Sequence, residues 1–473
     1  MRKYRNLFMA ACLIIGVSPG FGDDLSGQKP IRLNLQECIN RAVTASAEVD
    51  AEQSRLGMAR AQFKEAQGLK FLPELNLSNL SSVAPGLKEA NDGLLSLDTR
   101  NDWSNIGFFN NLLLTFVQPL YTFGRIKNSI EAARFGVEAQ EENVAQKQNE
   151  IAFTTTRLYL SKLLSEELLA VAEEGLEMAD KAENTLQDML EDEGVDYINE
   201  ADLYRVRLLK FDLRKLRREV TEGKRLALTA LRAVLGYDEP EDFDILDRYL
   251  EPWDTKILGL DHYMELKNRY RPEIGRLDAA VKAQNALAQI SQAALYPQIF
   301  VTGTAGLAFA PIRDDINNPL LNDPWNRTIF RAAIGLRMPL NFHKTKARVK
   351  KDEYALERAK ALRSAALDAI DLEVTQAFYA LIEARDNLED AGDALKLSRE
   401  WLRMEEITFD LDASNAKDLA DALDKNLTAR ANHYRAIYDF NLAVAGLMQA
   451  TGYNEWINGR DSGIERLGKE KTP

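Results

Sequence analysis

The chain has 473 residues and a formal net charge of -13, which argues against nucleic acid as a partner. Its three histidines, His262, His343 and His433, lie far apart in the sequence and lack the spacing of metal ligands. The sequence has neither a phosphate-binding loop nor a nucleophile elbow. We therefore expect a protein that is not an enzyme and that uses no cofactor or metal.

The N-terminus has the pattern of a secretory signal peptide over residues 1–22. Three cations within the first five residues precede an apolar stretch over 7–17, and small residues follow it. This stretch is too short for a membrane-spanning helix, and no later run reaches about 18 apolar residues. Cys12 follows two alanines, as in a lipoprotein cleavage box, so lipidation stays open. The mature chain is either soluble or a β-barrel, whose alternating strands escape hydropathy averages.

The rest of the chain is internally duplicated. Three landmarks recur at a slowly drifting offset, as expected of a duplication with small insertions: Pro73 with Pro297, Pro119 with Pro339, and Gly236 with Gly452. Each copy reads helix, strand, loop, strand, very long helix, tip and shorter helix. The predicted divisions are a signal peptide at 1–22, a first repeat at 33–237, an equatorial segment at 238–259, a second repeat at 260–453 and a tail at 454–473.

Alternation with period two predicts two strand pairs. In the second repeat Phe330, Ile334 and Leu336 alternate with Arg331 and Arg337, which gives one apolar and one polar face. The segment over 299–309 alternates in the same way, and the first repeat does so more weakly over 75–79 and 112–116.

Loops are predicted over 84–105 and 310–326, between the paired strands. Four strands per chain leave open edges, which cannot face lipid. The strands alone are equally compatible with a small soluble sheet.

Long heptad repeats dominate the remaining sequence. From 344 to 409 there is no proline, and a seam of small and apolar residues predicts a helix of roughly 100 Å. A similar seam runs from Leu164 through Gly175 to Met189. Shorter helices over 199–235 and 415–450 can return as antiparallel partners, with tips near 190–200 and 408–416. A plain coiled coil has such heptads too, but it does not explain why each long helix follows a strand pair.

Taken together, these features resemble the TolC family of outer-membrane efflux proteins over nearly all of the mature chain. No single motif is highly specific, but their order and duplicated spacing are. The motifs are Leu33 to Ile39 at the opening helix, Gln118 to Arg125 at a strand–helix junction, Arg271 to Ile274 at the start of the second half, and Leu235-Gly236-Tyr237 and Thr451-Gly452-Tyr453 at helix ends.

The resemblance implies a mixed α+β fold that is mostly α. It also implies a homotrimer in which four strands from each chain complete a 12-stranded β-barrel in outer-membrane lipid. The long antiparallel coiled-coil helices would continue as an α-barrel across the periplasm. Arg331 and Arg337 would then face the lumen.

The resemblance also assigns a gate to the helix tips. The family's aspartate pair falls on Asp418 and Asp421, and the equivalent position of the first repeat is Asp202. Phe409 stands where the best-known relatives have a tyrosine, so the bonds that lock a closed mouth are not carried over. The alternative is ordinary solvated surface, since acidic residues near helix N-termini are common.

The tips themselves are expected to dock a periplasmic adaptor. This assignment covers Gly194 and Asp196 in the first repeat and Asp412 and Ser414 in the second. Asp412 and Ser414 replace the glycine and arginine that family tips often carry. An inner-membrane transporter of RND or ABC type would complete the system.

The favoured function is therefore an exit duct for small-molecule efflux in the outer membrane, with a long periplasmic portion. Two alternatives remain open. One is the exit duct of type I protein secretion, and the other is a periplasmic coiled-coil scaffold without a pore.

Overall fold

The computed structural model describes residues 31–87, 101–191, 200–237, 243–313, 323–410 and 416–453. It is mostly helical with a four-stranded antiparallel sheet, which confirms the mixed α+β fold class. In chain order the elements are β1 (Ile31–Leu33), α1 (Leu35–Ala45), α2 (Ala47–Phe71), β2 (Glu74–Leu87), β3 (Asn101–Tyr121), α3 (Arg125–Glu191), α4 (Glu200–Val234), β4 (Phe243–Ile245), α5 (Leu260–Tyr270), α6 (Pro272–Ala293), β5 (Gln298–Phe309), β6 (Arg327–Arg337), α7 (Phe342–Asp410) and α8 (Ala416–Thr451).

The main sheet has the strand order β2-β3-β5-β6, so the two hairpins join where β3 pairs with β5. Among the described residues, β2 and β6 each have one neighbour. The predicted loop over 84–105 is wrong at both ends, because β2 continues to Leu87 and β3 begins at Asn101. Pairing across this hairpin outweighs the low strand propensity of its serine, asparagine and glycine residues.

The two faces of this sheet differ in chemistry. Cross-strand register places alternate residues on one side, because side chains of paired residues share a face. The apolar face carries Leu75, Leu77, Val83, Phe108, Leu114, Phe116, Leu307, Phe330, Ile334 and Leu336. The polar face carries Asn76, Ser78, Thr115, Thr302, Thr304, Arg331 and Arg337. Phe330 is 82% exposed and Ile334 is 75% exposed, so no described residue covers the apolar face there.

The helices form a layer that continues the order of the strands. Next to the sheet, the packed neighbours are α2 with α3, α3 with α6, and α6 with α7. Farther away they are α4 with α3, α3 with α8, and α8 with α7. With 67 residues, α3 runs along both sets and measures roughly 100 Å.

The two helical hairpins are antiparallel, as expected from the sequence. In the first hairpin, Glu183 near the end of α3 bonds Arg207 near the start of α4, whereas Lys224 late in α4 bonds Glu166. The heptad seam is confirmed in α7, where Ile370, Val374, Leu381 and Leu402 are buried. The return helices span Glu200–Val234 and Ala416–Thr451, close to their predicted bounds.

A shared capping device ends α4 and α8. Gly236 and Gly452 adopt positive φ angles of 68° and 72°, which favour glycine. Nε of Arg41 donates to the Leu235 carbonyl at 3.1 Å, and Arg271 donates to a carbonyl in the last turn of α8. The helix-end motifs of the two sequence halves therefore serve the same structural purpose.

A short parallel pair, β1 with β4, lies beside the middle of α3. Nζ of the buried Lys162 bonds Asp244 Oδ1 in β4 and Glu166 Oε2 in its own helix, both at 2.7 Å. The sequence did not indicate this pair, whose strands have only three residues each.

Candidate functional site

The candidate gate aspartates lie at one end of the helix layer. Asp418 is in the first turn of α8 and Asp421 follows one turn later, while Asp202 is in the first turn of α4. Carboxylates at these positions suit the positive end of each helix dipole. The structure thus brings all three aspartates to the ends of helices that flank α3.

The two repeats differ in how they expose these carboxylates. Asp421 is exposed and Asp418 is half-buried, whereas Asp202 is only 5% exposed. Nη1 of Arg205 donates to Oδ1 of Asp202 at 3.0 Å. Asp202 is therefore held within its own helix, and Asp421 is the more accessible carboxylate.

Below the aspartates, an apolar cluster joins all four helices. Its buried leucines include Leu186 of α3, Leu203 of α4, Leu402 of α7 and Leu423 of α8. The half-buried Phe409 packs against this cluster. Its ring therefore acts by apolar packing, since it has no hydroxyl to donate.

A groove of about 350 Å³ opens into this cluster. Its walls are mainly apolar and come from the same four helices: Met178, Ala182, Leu186, Val206, Leu209, Leu402, Phe409, Leu419, Ala420 and Leu423. Lys181 and Glu406 supply charge at its rim.

Ion pairs that the sequence analysis missed cross between the helices here. Glu183 accepts hydrogen bonds from Lys210 and from Arg207, and these two bonds hold the pKa of its carboxyl below the usual value. Arg430 of α8 bonds Glu174 of α3 at 2.6 Å and so ties the second hairpin to the first. Basic residues on the return helices, opposite acidic residues of α3, were the available sequence signal.

The predicted docking residues Gly194, Asp196, Asp412 and Ser414 lie outside the described residues. Their assignment stays a prediction from the sequence.

At the other end of the molecule, the strand arginines share the polar face of the sheet. Arg331 lies opposite Thr304, and Arg337 lies opposite Gln298. The Arg337 guanidinium lies 5.2 Å from the centre of the Phe300 ring, within the range of a cation–π contact.

None of the helices in the described ranges has both the length and the hydropathy of a membrane span. In the same ranges, no group of histidine, cysteine, aspartate or glutamate side chains is arranged to hold a metal ion.

Comparisons with known proteins agree with this architecture. Residues 265–453 match the family model described as outer membrane efflux protein, which confirms the expected family. A comparison with curated protein sequences gave no match.

Several solved structures of outer-membrane channels have the same fold. OprN is 18% identical, with a TM-score of 0.73 over 89% of this chain and 90% of its own. The open state of MtrE from Neisseria gonorrhoeae is 19% identical, with a TM-score of 0.72 over 89% of each chain. CmeC from Campylobacter jejuni is 16% identical, with a TM-score of 0.70 over 89% of this chain and 86% of its own. Residues 265–453 therefore match the outer membrane efflux protein family, and the described part of the chain has the fold of outer-membrane channels.

Proposed function

We propose that three copies of this chain form an outer-membrane channel, the exit duct of a tripartite efflux system for small molecules. The main support is the four-stranded sheet, which combines an exposed apolar face with edges at β2 and β6 that pair with no further described strand. An apolar face suits lipid, but unpaired backbone groups do not. Pairing β2 of one copy with β6 of the next would close the sheet, and three copies give 12 strands.

Exposed apolar stripes on the edge helices support the same assembly. On α4, Tyr204, Leu208 and Phe211 recur every three or four residues and are 53 to 62% exposed. On α7, Leu397 and Met404 are 67% and 60% exposed and recur with the period of one helix face. Because α4 and α7 are the outermost helices at this end, subunit packing would cover both stripes.

In such a trimer, Asp418 and Asp421 of three chains would place six carboxylates around the periplasmic opening. A ring of this kind attracts cations and repels anions. It also repels itself, so opening would relieve electrostatic strain. Asp202 would add a second, more buried set, and Phe409 would pack beneath the ring.

The partners follow from this function. A periplasmic adaptor would dock at the tips through Gly194, Asp196, Asp412 and Ser414. An inner-membrane transporter of RND or ABC type would supply the cargo, and the strands would contact outer-membrane lipid.

The proposal is tested by single-channel recording in planar bilayers, with the wild type beside Asp418→Ala/Asp421→Ala. We expect a small, cation-preferring conductance that grows or loses its selectivity in the variant. A conductance that the substitutions leave unchanged would support the channel function and would reject the aspartate gate.

Two alternatives give different results. A type I secretion duct has the same pore, so only the co-purified transporter and the exported cargo would distinguish it. A scaffold without a pore would wash off membranes in carbonate, would not form trimers and would show no conductance. The exposed apolar sheet face argues against this scaffold.

A further inference from the structure

Part of the β5–β6 connection folds over the polar face of the sheet, at the end away from the helices. A Cβ on Gly107 of β3 would lie 2.8 Å from Ile312, so Ile312 packs directly on that strand. Trp325 meets Phe109 edge-on with ring centres 5.0 Å apart. Phe109 and Ala308 are only 6% and 7% exposed. The described ends of the connection, 310–313 and 323–326, therefore cover this face.

Arg313 holds the two ends of the connection together. Its Nε donates to Asp323 Oδ2 at 2.7 Å, and the two side chains are 0% and 2% exposed. The backbone N–H of Trp325 donates to Oδ1 of Asp323, and Asn326 donates to the Arg313 carbonyl. The Arg313–Asp323 ion pair thus joins the two described ends of the connection to each other.

The same guanidinium also bonds the neighbouring hairpin. Nη1 of Arg313 donates to the Pro85 carbonyl at 2.6 Å and to Asn101 Oδ1 at 3.1 Å. These acceptors belong to the far ends of β2 and β3. Through Arg313, the described ends of the connection are therefore anchored to β2 and β3 as well as to the strands that the connection joins.

An ion pair this deeply buried is costly to desolvate, and an apolar pair of similar volume often stabilises a fold as well. Charge alone therefore does not explain its presence. An arginine adds geometric specificity, because its planar guanidinium donates hydrogen bonds to several acceptors at fixed angles. These bonds hold the described ends of the connection, 310–313 and 323–326, on the polar face.

We propose that Arg313 is a positioning residue that holds these segments over the pore-facing side of the sheet and so sets the size limit of the exit mouth. The inference rests on the proposed channel function, in which the polar face lines the lumen. Segments on that face occupy space that exported molecules must pass. The cargo would accordingly be restricted in size at the outer end, independently of the aspartates at the tips.

The test compares Arg313→Met with the matched control Arg385→Met, which removes an exposed arginine paired with Asp386 at 2.8 Å. All of these proteins also carry Asp418→Ala/Asp421→Ala, so that the tips do not limit the current, and single-channel conductance is recorded with polyethylene glycols of graded size added on the side of the exit mouth. In Arg313→Met we expect a larger conductance and a polymer cut-off shifted to larger sizes. Arg385→Met should match the wild type. An unchanged cut-off in Arg313→Met trimers would overturn the inference while leaving the channel intact.

A second experiment measures directly whether these segments cover the polar face of the sheet. Ala308→Cys is introduced with and without Arg313→Met, and cells are treated with a membrane-impermeant maleimide. Cys38 gives little background, because burial, followed by the charges of Glu37 and Asp247, raises the pKa of its thiol to about 12. We expect labelling only in the Arg313→Met background, and equal labelling in both would reject the anchoring role.

Arg313→Lys covers the case in which Arg313→Met does not assemble. Lysine keeps the charge but lacks the planar fork, so labelling and cut-off should move in the same direction as for methionine. If neither the wild type nor Arg385→Met conducts, the channel function itself fails. The labelling would then still show whether Arg313 holds the segments in place.

Discussion

Glu142 of α3 is a carboxylate whose environment opposes its charge. Gly275 of α6 leaves room for it, since a Cβ there would lie 2.6 Å from Glu142 Oε1. Burial raises the pKa of Glu142 above its ordinary value, and the neighbouring carboxylates of Glu141 and Glu273 raise it further. The folded chain therefore binds this proton more tightly than the unfolded chain does.

The raised pKa of Glu142 determines how the stability of the folded chain changes with pH. Stability falls as the pH rises above 4.5, the ordinary value, because the folded state then has to ionise an unfavourable group. We expect Glu142→Gln to raise the melting temperature at pH 7 and to change it little at pH 4, as followed by circular dichroism in detergent. The control Glu173→Gln, at an exposed position of the same helix, should have little effect at either pH. A gain in melting temperature that persists at pH 4 would contradict the view that ionised Glu142 destabilises the fold.

Among the elements, the crossing of α3, α4 and α8 depends on a small residue. A Cβ on Gly175 would lie 2.8 Å from Leu427 Cδ1 and 3.1 Å from Leu213 Cδ2. We expect Gly175→Leu to destabilise the protein by about 1–3 kcal/mol, since overpacking forces neighbouring side chains to move. Gly136→Leu is the control, because Gly136 lies in the same helix with nothing within 4 Å of a Cβ. Equal melting temperatures for the two variants would rule out a tight crossing.

The elements that the sequence predicted correctly are those whose hydrophobic pattern repeats over many turns. The α7 seam and both return helices could be found because heptads repeat over many turns, so single exceptions do not hide them. The distal ends of β2 and β3 were missed because their serine, asparagine and glycine residues are typical of loops. Strand order was also out of reach, since nothing local specifies that β3 pairs with β5.

The candidate site was predictable to a smaller extent. Asp418, Asp421 and Asp202 were placed at helix starts from the sequence, and they lie there. The burial of Asp202 was not foreseen, because it depends on how α4 packs on α3. Arg313 was missed for a related reason. Its partners at Pro85, Asn101 and Asp323 are distant in sequence or lie across a connection.

For the whole molecule, the apolar stripe on α4 predicts assembly. Leu208 and Phe211 are each 62% exposed, on the outermost helix of the tip end. Burying such a side chain between subunits contributes about 1.5–3 kcal/mol, so Leu208→Ser/Phe211→Ser should weaken the proposed trimer. Light scattering after size exclusion in detergent would measure the fraction of trimer that is lost.

The control for this prediction is Leu287→Ser. Leu287 is 44% exposed but lies on α6, which packs between α3 and α7 and forms no edge of the layer. It should remain trimeric. Trimers that survive the double substitution would show that α4 is not a subunit contact.

The pairing of β3 with β5 has a consequence for biogenesis. Phe116 pairs with Gly303, and all of α3 and α4 lies between them in the chain. Closing so long a loop is entropically expensive, so high contact order makes this step slow. If the chain is exported as proposed, β2 and β3 would form a hairpin with an exposed apolar face and an unpaired edge at β3 until the second half has been translocated. The nascent protein would then be most prone to aggregation midway through export, when a holding chaperone would protect it most.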